Sequence, residues 1–287
     1  MKKSASEIQA LITLLGDEDA KIRSIAREHL LQIGQEAEGF LRQAARDDGD
    51  GRTRIEARHV LAQIHREDLI SSFYVLGLLE EEQIDLEHAA FLLARVGYPD
   101  LDLAPLQREL DGFAERIRVR LAEPPHTQPG RVIVETINHV LFVEERFRGN
   151  VEEYYDPDNS YLNRVIERRT GIPVSLSVLY LLIARRLQVP VHGVNLPVHF
   201  ICRYQTPEES FLIDPFYGGR LITRAECMKL LQGSGMTFED RMLQRAAPRT
   251  IIARMVRNLI LIHSQRDELA QATFLDRILK MLRTQEP

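Results

Sequence analysis

The stretch between residues 171 and 214 constrains the fold more than any other part of this chain. A break at 171–173 (GIP) precedes the segment 174–187, which is largely apolar, and a proline suits the first turn of a helix, where its missing N–H is harmless. Three segments with the composition of short β-strands follow, at 191–196, 199–204 and 209–214. A helix that is apolar on every side is buried. We therefore predict an α+β fold, mostly helical, in which a small antiparallel sheet packs on this central helix.

Helices flank the central segment, and those at the N-terminal end contain an internal repeat. Five residues recur in the same order further along the chain, first as Arg23, Ala26, Arg27, Leu30 and Ile33 and then as Arg54, Ala57, Arg58, Leu61 and Ile64. Their apolar members fall three or four positions apart, which is the stripe of an amphipathic helix. The segment 1–67 resembles HEAT repeats, whose helical pairs bury their apolar faces by stacking. Such a stripe packs on the neighbouring domain or presents a surface to another protein; two similar helices arising by chance are the alternative.

Two further helices are predicted near the C-terminal end, at about 249–264 and 268–283, and together they resemble one tetratricopeptide-type hairpin. Between the two flanks, helical patterns are found at 103–121, 133–147 and 161–169, and the strongest break in the chain lies at 123–130. We therefore divide the chain into three regions: 1–67, 68–246 and 247–287.

The overall composition excludes several classes of protein. With 37 Lys and Arg residues against 42 Asp and Glu, the net charge of −5 offers no electrostatic footprint for nucleic acid. The longest apolar run, 174–184, is shorter than the ~18 residues of a membrane span. Two cysteines provide no disulfide framework and suit a reducing compartment. We therefore expect a cytoplasmic protein that binds neither nucleic acid nor membranes.

The sequence predicts neither a cofactor nor a metal site. The nine His and two Cys lack zinc-type spacing, and the acidic loop 154–159 lacks the downstream Glu of a calcium loop. Cys202 lies on the strand face opposite to His199, and we expect both it and Cys227 to be small core residues. The arginine pairs at 168–169 and 185–186 could bind an acidic partner, but we interpret them as solvated helix edges, which is the usual role of such pairs.

Three polar residues in the central stretch stand where a hydrolase would place them. Ser175 lies at the start of the predicted helix, His199 at the start of a strand and Asp214 at the end of the next strand. A nucleophile on a helix, followed by a His and an Asp on strands, is the order found in papain-like and transglutaminase-like hydrolases. The segments that extend this likeness are 155–163 (YDPDNSYLN), 168–177 (RRTGIPVSLS), 197–200 (PVHF) and 213–219 (IDPFYGG). With these motifs, residues 68–232 resemble the SirB-type branch of the transglutaminase-like superfamily.

The resemblance implies a catalytic triad of Cys, His and Asp, and this chain has no cysteine at the nucleophile position. His199 and Asp214 match the second and third members, Ser175 is the best match to the first, and Ser177 is the second choice. A thiol at a helix N-terminus ionises readily, whereas a serine hydroxyl needs the His as a general base, with the Asp holding the imidazole tautomer. The chain also has Val198 where the family pattern has Gly, which narrows the backbone beside the His.

Three interpretations of these residues stay open at this point. The leading hypothesis is a protein that keeps the triad-like arrangement for binding or scaffolding, with vestigial activity. The second is an active serine hydrolase or acyltransferase, an amidase or peptidase, that uses Ser175, His199 and Asp214. Either implies a protein partner or a peptide-like substrate, and activity requires the Ser175 hydroxyl within about 2.6–3.2 Å of a His199 nitrogen, below an open groove. The third is purely structural: a helix cap, a core histidine and a turn cap.

Overall fold

The structure, a computed structural model, describes residues 4–121 and 124–282. The chain forms two compact units, one up to Ser72 and the other from Phe73. The outer ends of the first and last predicted regions, 1–3 and 283–287, and the beginning of the predicted loop 123–130 lie outside the described residues. Within the described ranges, no helix is both long and apolar enough to cross a membrane.

The first unit is built from four helices around one apolar core. They are α1 (Ala5–Leu14), α2 (Ala20–Ile33), α3 (Gln35–Asp47) and α4 (Gly51–Leu78), the last of which runs on past Ser72. The sequence repeat is also a structural repeat: Arg23 donates a hydrogen bond to the Asp17 carbonyl (2.8 Å), and Arg54 does the same to Asp48. The apolar members of both copies, such as Leu30, belong to the core. The resemblance of these helices to HEAT repeats stays a prediction.

The second unit combines eight helices of the described residues with six short strands. The helices are α5 (Leu86–Gly97), α6 (Leu103–Leu121), α7 (Gly130–Asn138), α8 (Leu162–Arg168), α9 (Pro173–Arg186), α10 (Arg224–Gly233), α11 (Pro248–Gln265) and α12 (Leu269–Leu282). The strands are β1 (Arg148–Gly149), β2 (Thr170–Gly171), β3 (Val191–Asn195), β4 (Phe200–Gln205), β5 (Ser210–Asp214) and β6 (Arg220–Ile222). Helix α7 continues as a π-helical segment over His139–Glu144. Helices α11 and α12 pack against each other as a hairpin, whose likeness to a tetratricopeptide repeat stays a prediction.

The centre of the second unit is helix α9, and the sheet packs on it. Every residue from Pro173 to Ala184 is buried, and α9 contacts β3, β4, α6 and α11. The sheet has the order β3-β4-β5-β6, and all its neighbours are antiparallel. These observations confirm the predicted α+β fold. The sequence missed strand β6 and the parallel pair β1–β2, because segments of two or three residues carry no alternation to detect.

Arg249 at the start of α11 ties together three chain segments of the second unit. The side chain is almost fully buried and lies 2.9 Å from a carboxylate oxygen of Glu81. It also donates to the carbonyls of Gly77 (2.8 Å), Leu79 and Leu282 (3.2 Å). The planar guanidinium reaches all these acceptors at once because its five N–H groups point in fixed directions.

Replacing Arg249 by Leu is therefore expected to lower the free energy of unfolding by about 2–4 kcal/mol, because a partly exposed carboxylate and three carbonyls lose their shared donor. Urea unfolding followed by circular dichroism measures the loss. Arg241, an exposed residue whose described partner is Glu239, provides the control, and Arg241→Leu should change the stability by less than about 0.5 kcal/mol. Equal effects of the two substitutions would contradict the role given to Arg249.

Candidate functional site

The sheet brings His199 and Asp214 together. His199 directly precedes β4 and Asp214 ends the neighbouring antiparallel strand β5. The Nε2 atom of His199 lies 2.9 and 3.0 Å from the two carboxylate oxygens of Asp214, which is fully buried and also accepts the backbone N–H of Phe216 (3.2 Å). An ionised carboxylate only accepts hydrogen bonds, so Nε2 carries the proton and Nδ1 is the acceptor of the neutral ring. Among the described residues, Nδ1 has no hydrogen-bond partner.

Aromatic rings surround the imidazole of His199. Tyr217 stacks on it at 6.0 Å between ring centroids, and Phe216 meets it edge-on at 5.9 Å. Tyr154 continues the cluster through Phe216, and Tyr155 packs on Tyr154. Residues Tyr217 and Tyr155 are 55% and 54% exposed, so this cluster presents two aromatic residues to solvent near a histidine that is itself only 9% exposed.

Arg254 of α11 adds a positive charge near the same cluster. Nη1 of Arg254 donates to the carbonyl of Leu196 (3.4 Å). Tyr154 lies close enough to favour the charged form of Arg254. Burial nevertheless lowers the pKa of Arg254, and the charge of Arg257 acts in the same direction. Within the described part of the chain, no carboxylate forms an ion pair with Arg254. The guanidinium of Arg254 therefore has no carboxylate counter-charge among the described residues.

The hydroxyl of Ser175 is directed at the backbone rather than at His199. Ser175 is the third residue of α9 and is fully buried. Its Oγ lies 2.5 Å from the carbonyl oxygen of Asn159 and 3.2 Å from that of Ile172, and it accepts the N–H of Ile172 (3.0 Å). A hydroxyl has one proton, and these contacts direct it to a carbonyl. The hydrogen bonds described for Ser175 include none to His199, so the structure joins two of the three predicted residues.

A compact loop before α8 delivers the carbonyl that receives the Ser175 proton. The side-chain amide of Asn159 donates to the Glu153 carbonyl (2.7 Å), and its oxygen accepts from Asn150 (3.1 Å), which fixes the backbone of Asn159 under the start of α9. The fit is close: a Cβ on Gly171 would lie 2.7 Å from Ser175 Oγ. Asn159 lies in the family motif 155–163, but the sequence predicts no role for it, because any residue type provides a backbone carbonyl.

Charged side chains hold the acidic part of that loop. Asp158 accepts from the hydroxyl of Tyr98 (2.5 Å) and from Arg164 (3.0 Å), and Arg168 pairs with Asp156 at 2.6 Å. Burial alone would raise the pKa of Asp158, but the hydrogen bonds from Tyr98 and Arg164 outweigh it and lower the pKa; burial and the Asp158 charge raise the pKa of Tyr98 to about 12. The described residues contain no cluster of three metal-ligating side chains.

The arginine pairs at 168–169 and 185–186 are not the simple solvated edges that the sequence suggested. Arg169 pairs with Glu109 and Glu145, and Arg186 pairs with Glu87 and Asp111. Both side chains bridge separate segments of the second unit. The interpretation was wrong for Arg169 and Arg186, because ion pairing between distant segments has no local sequence pattern. Arg185, by contrast, is exposed, as the sequence suggested.

Ser177 and the cysteines lie in the interior. The Ser177 hydroxyl is fully buried and donates to the Phe200 carbonyl (3.3 Å), while Cys202 Sγ lies 3.8 Å from the Ser177 carbonyl. Burial raises the pKa of the Cys202 thiol far above its usual range and that of Cys227 to about 11. Neither thiol has the environment of a nucleophile, as expected for small core residues.

Comparison with known proteins relates the second unit to one superfamily. A family model described as "Transglutaminase-like superfamily" matches residues 104–257. The chain is 36% identical over 217 residues to a UPF0162 protein of Xylella fastidiosa, covering 73% of this chain and 76% of that protein. It is 31% identical over 198 residues to a UPF0162 protein of Pseudomonas aeruginosa (67% and 70%). It is 38% identical over 136 residues to human F-box only protein 21, which is 45% of this chain and 21% of that protein. No solved structure matches the chain.

If the Ser175 hydroxyl fastens the start of α9, Ser175→Ala should lower the free energy of unfolding by about 1–3 kcal/mol, because a buried carbonyl and N–H lose a partner. Urea unfolding measures this. The control is Ser234→Ala near the exposed end of α10, where the hydroxyl donates to the Leu230 carbonyl as its one partner among the described residues, and the change should stay within about 0.5 kcal/mol. An unchanged stability of Ser175→Ala would contradict a structural role of the hydroxyl.

Proposed function

This chain belongs to the transglutaminase-like superfamily, and we propose that it uses the fold to bind a peptide-like segment of a protein partner, with at most vestigial catalysis. The partner would lie against the exposed aromatic surface beside His199. Within the superfamily we assign the chain to the SirB-type branch, on the motifs at 155–163, 168–177, 197–200 and 213–219. A cytoplasmic location belongs to the same proposal.

The observation that carries this proposal is the position of the Ser175 hydroxyl. A serine nucleophile must give its proton to a general base while its oxygen attacks a carbonyl that comes from solvent. Here the oxygen is fully buried, and its proton is engaged by the Asn159 carbonyl at 2.5 Å. Attack would require this bond to break, the Ile172 N–H to give up its nearer acceptor and keep only the Asn159 carbonyl at 3.4 Å, and the first turn of α9 to come to the surface. The cost of these steps favours binding over turnover.

The surroundings of His199 suit the recognition of a peptide. Tyrosine combines a large apolar ring with a polar end, and such residues are common at protein interfaces. Nδ1 of His199, oriented by Asp214, is positioned to accept a hydrogen bond from a backbone N–H, and Arg254 can donate to a carbonyl or carboxylate. Tyr217 and Tyr155 provide the exposed ring surface between them.

One observation favours the alternative, an active amidase, peptidase or acyltransferase. The pair His199–Asp214 has the hydrogen bonding that holds the imidazole of a catalytic triad in one tautomer. In such an enzyme the Ser175 hydroxyl would leave the Asn159 carbonyl and give its proton to Nδ1 of His199 as its oxygen attacks a substrate carbonyl. Catalysis on this route depends on a rearranged start of α9.

A serine-directed fluorophosphonate probe separates these functions. We expect the folded wild-type protein to remain unlabelled under conditions that label a serine hydrolase included as a positive control, because the hydroxyl is buried and hydrogen-bonded. Ser175→Ala and His199→Ala are measured beside it, so that labelling of any other serine is recognised. Labelling of the wild type that disappears in both variants would overturn the binding proposal in favour of the hydrolase.

The binding proposal predicts that the exposed tyrosine beside His199 carries affinity. Peptides are first selected on the wild-type protein from a random library, and the affinity of each is then measured by fluorescence polarisation. Tyr217→Ala should weaken binding at least tenfold, because the ring that stacks on His199 is lost. Tyr74→Ala, which removes an exposed tyrosine of α4, is the matched control and should leave the affinity within twofold. A failure to select peptides, or equal effects of the two variants, would contradict the proposal.

A further inference from the structure

A cavity lies in the second unit, at the end of α9 that is remote from Ser175. Its volume is about 860 Å³, and it is lined by the last turns of α9, the start of β3, the end of β4 and the beginning of α11. Ser175 and His199 lie instead at the start of α9 and before the start of β4. The cavity is therefore separate from the site described above, and its volume is that of a small-molecule pocket.

The walls of the cavity combine apolar side chains with basic ones. The apolar part includes Leu86, Leu181, Val191 and Ile251, and the basic side chains are Arg185, His192 and Arg245. No Asp or Glu is among the lining residues that the structure describes. Apolar walls with a few convergent polar groups are characteristic of small-molecule sites. The charge of the lining is positive, and the complementary ligand is negative.

The basic side chains of the cavity differ in how their charge is compensated. Arg185 forms an ion pair with Asp85 (2.8 Å). Arg245, by contrast, makes no hydrogen bond and no ion pair through its side chain with any described residue. Next to the cavity, Arg203 donates to Ser210 and to the Leu243 carbonyl, neither of which is charged. A cluster of cations without matching anions therefore borders one wall.

The surroundings of His192 also disfavour a positive charge on its ring. Burial lowers the pKa of this half-buried imidazole to about 4, and the charges of Arg203 and Arg245 contribute in the same direction. At neutral pH the ring is uncharged, so one of its nitrogens donates a hydrogen bond and the other accepts one. The charges of Arg203 and Arg245, which oppose protonation of His192, favour a negative charge beside its ring.

We propose that this cavity binds a small organic anion, with the anionic group at Arg245 and His192 and an apolar body against Leu181 and Ile251. The anion supplies the negative counter-charge that Arg245 lacks among the described residues, and the apolar walls contact the body attached to the acidic group. A carboxylate, phosphate or sulfonate meets the requirement equally, because the guanidinium recognises the charge and two acceptor oxygens of each. This site is independent of the function proposed for His199 and of its outcome.

Two dyes that differ in a single group test the proposal. 8-Anilinonaphthalene-1-sulfonate has an apolar aromatic body and an anionic group, and N-phenyl-1-naphthylamine has the same body without the sulfonate. Fluorescence titration of the wild-type chain should show the sulfonate binding at least tenfold more tightly. Arg245→Gln should reduce the affinity for the sulfonate about tenfold and leave that for the neutral dye within twofold. Arg241→Gln, an exposed arginine outside the lining, is the control and should change neither.

A second variant locates the dye. Val191→Phe places a larger side chain at the cavity wall and should weaken the binding of both dyes at least fivefold, while circular dichroism and the thermal midpoint show that all variants stay folded. Equal affinities of the two dyes for the wild type would overturn the proposal. So would an Arg245→Gln variant that binds the sulfonate like the wild type, or a Val191→Phe variant that binds both dyes unchanged.

Discussion

The second unit depends on the burial of helix α9 from all sides. Twelve consecutive residues of this helix, Pro173 to Ala184, are buried. The backbone groups at its first turn, which have no partner within the helix, must therefore find partners elsewhere in the protein. An unpaired buried N–H or hydroxyl costs about 1–3 kcal/mol, more than the net gain from an ordinary hydrogen bond. The Ser175 hydroxyl meets this demand: it accepts a hydrogen bond from the N–H of Ile172 and donates one to the carbonyl of Asn159. The candidate nucleophile is thereby part of the cap of the central helix.

The two ends of α9 are stabilised in different ways, and this difference separates the two candidate sites. Its start is enclosed by a loop of the same unit, whose Asn159 is held through side-chain hydrogen bonds. Its end emerges toward solvent, where Arg185 and Arg186 pair with carboxylates from α6 and from the start of α5. Close packing at the start excludes a ligand from Ser175. The open end leaves the cavity of about 860 Å³.

Local patterns in the sequence predicted the parts of the fold that local forces determine. Helix α9 and strands β3 to β5 were found within a residue of their bounds, because apolar periodicity and turn residues mark them directly. The pairing of His199 with Asp214 could be anticipated as well, because neighbouring antiparallel strands bring the start of one beside the end of the other. The partner of Ser175 could not, since it is a backbone carbonyl delivered by a loop. The cavity bordered by Arg245 could not be predicted either, because it is formed by residues that are far apart in sequence.

The exchange of cysteine for serine, which the family resemblance implies at position 175, has a physical reading in this structure. A thiol is a weak hydrogen-bond donor and a larger atom, and in a packed, water-free position it gains little from the Asn159 carbonyl. A hydroxyl forms a short bond to that carbonyl and accepts the Ile172 N–H from the opposite side. The two groups therefore suit different environments at this position. A thiol suits a surface where its anion is stabilised, whereas a hydroxyl suits an interior where its proton is held by a hydrogen bond. With the hydroxyl engaged at the start of the helix, the His199–Asp214 pair has an oriented acceptor nitrogen beside exposed aromatic rings, and our proposal that the site holds a ligand rather than transforms it rests on this arrangement.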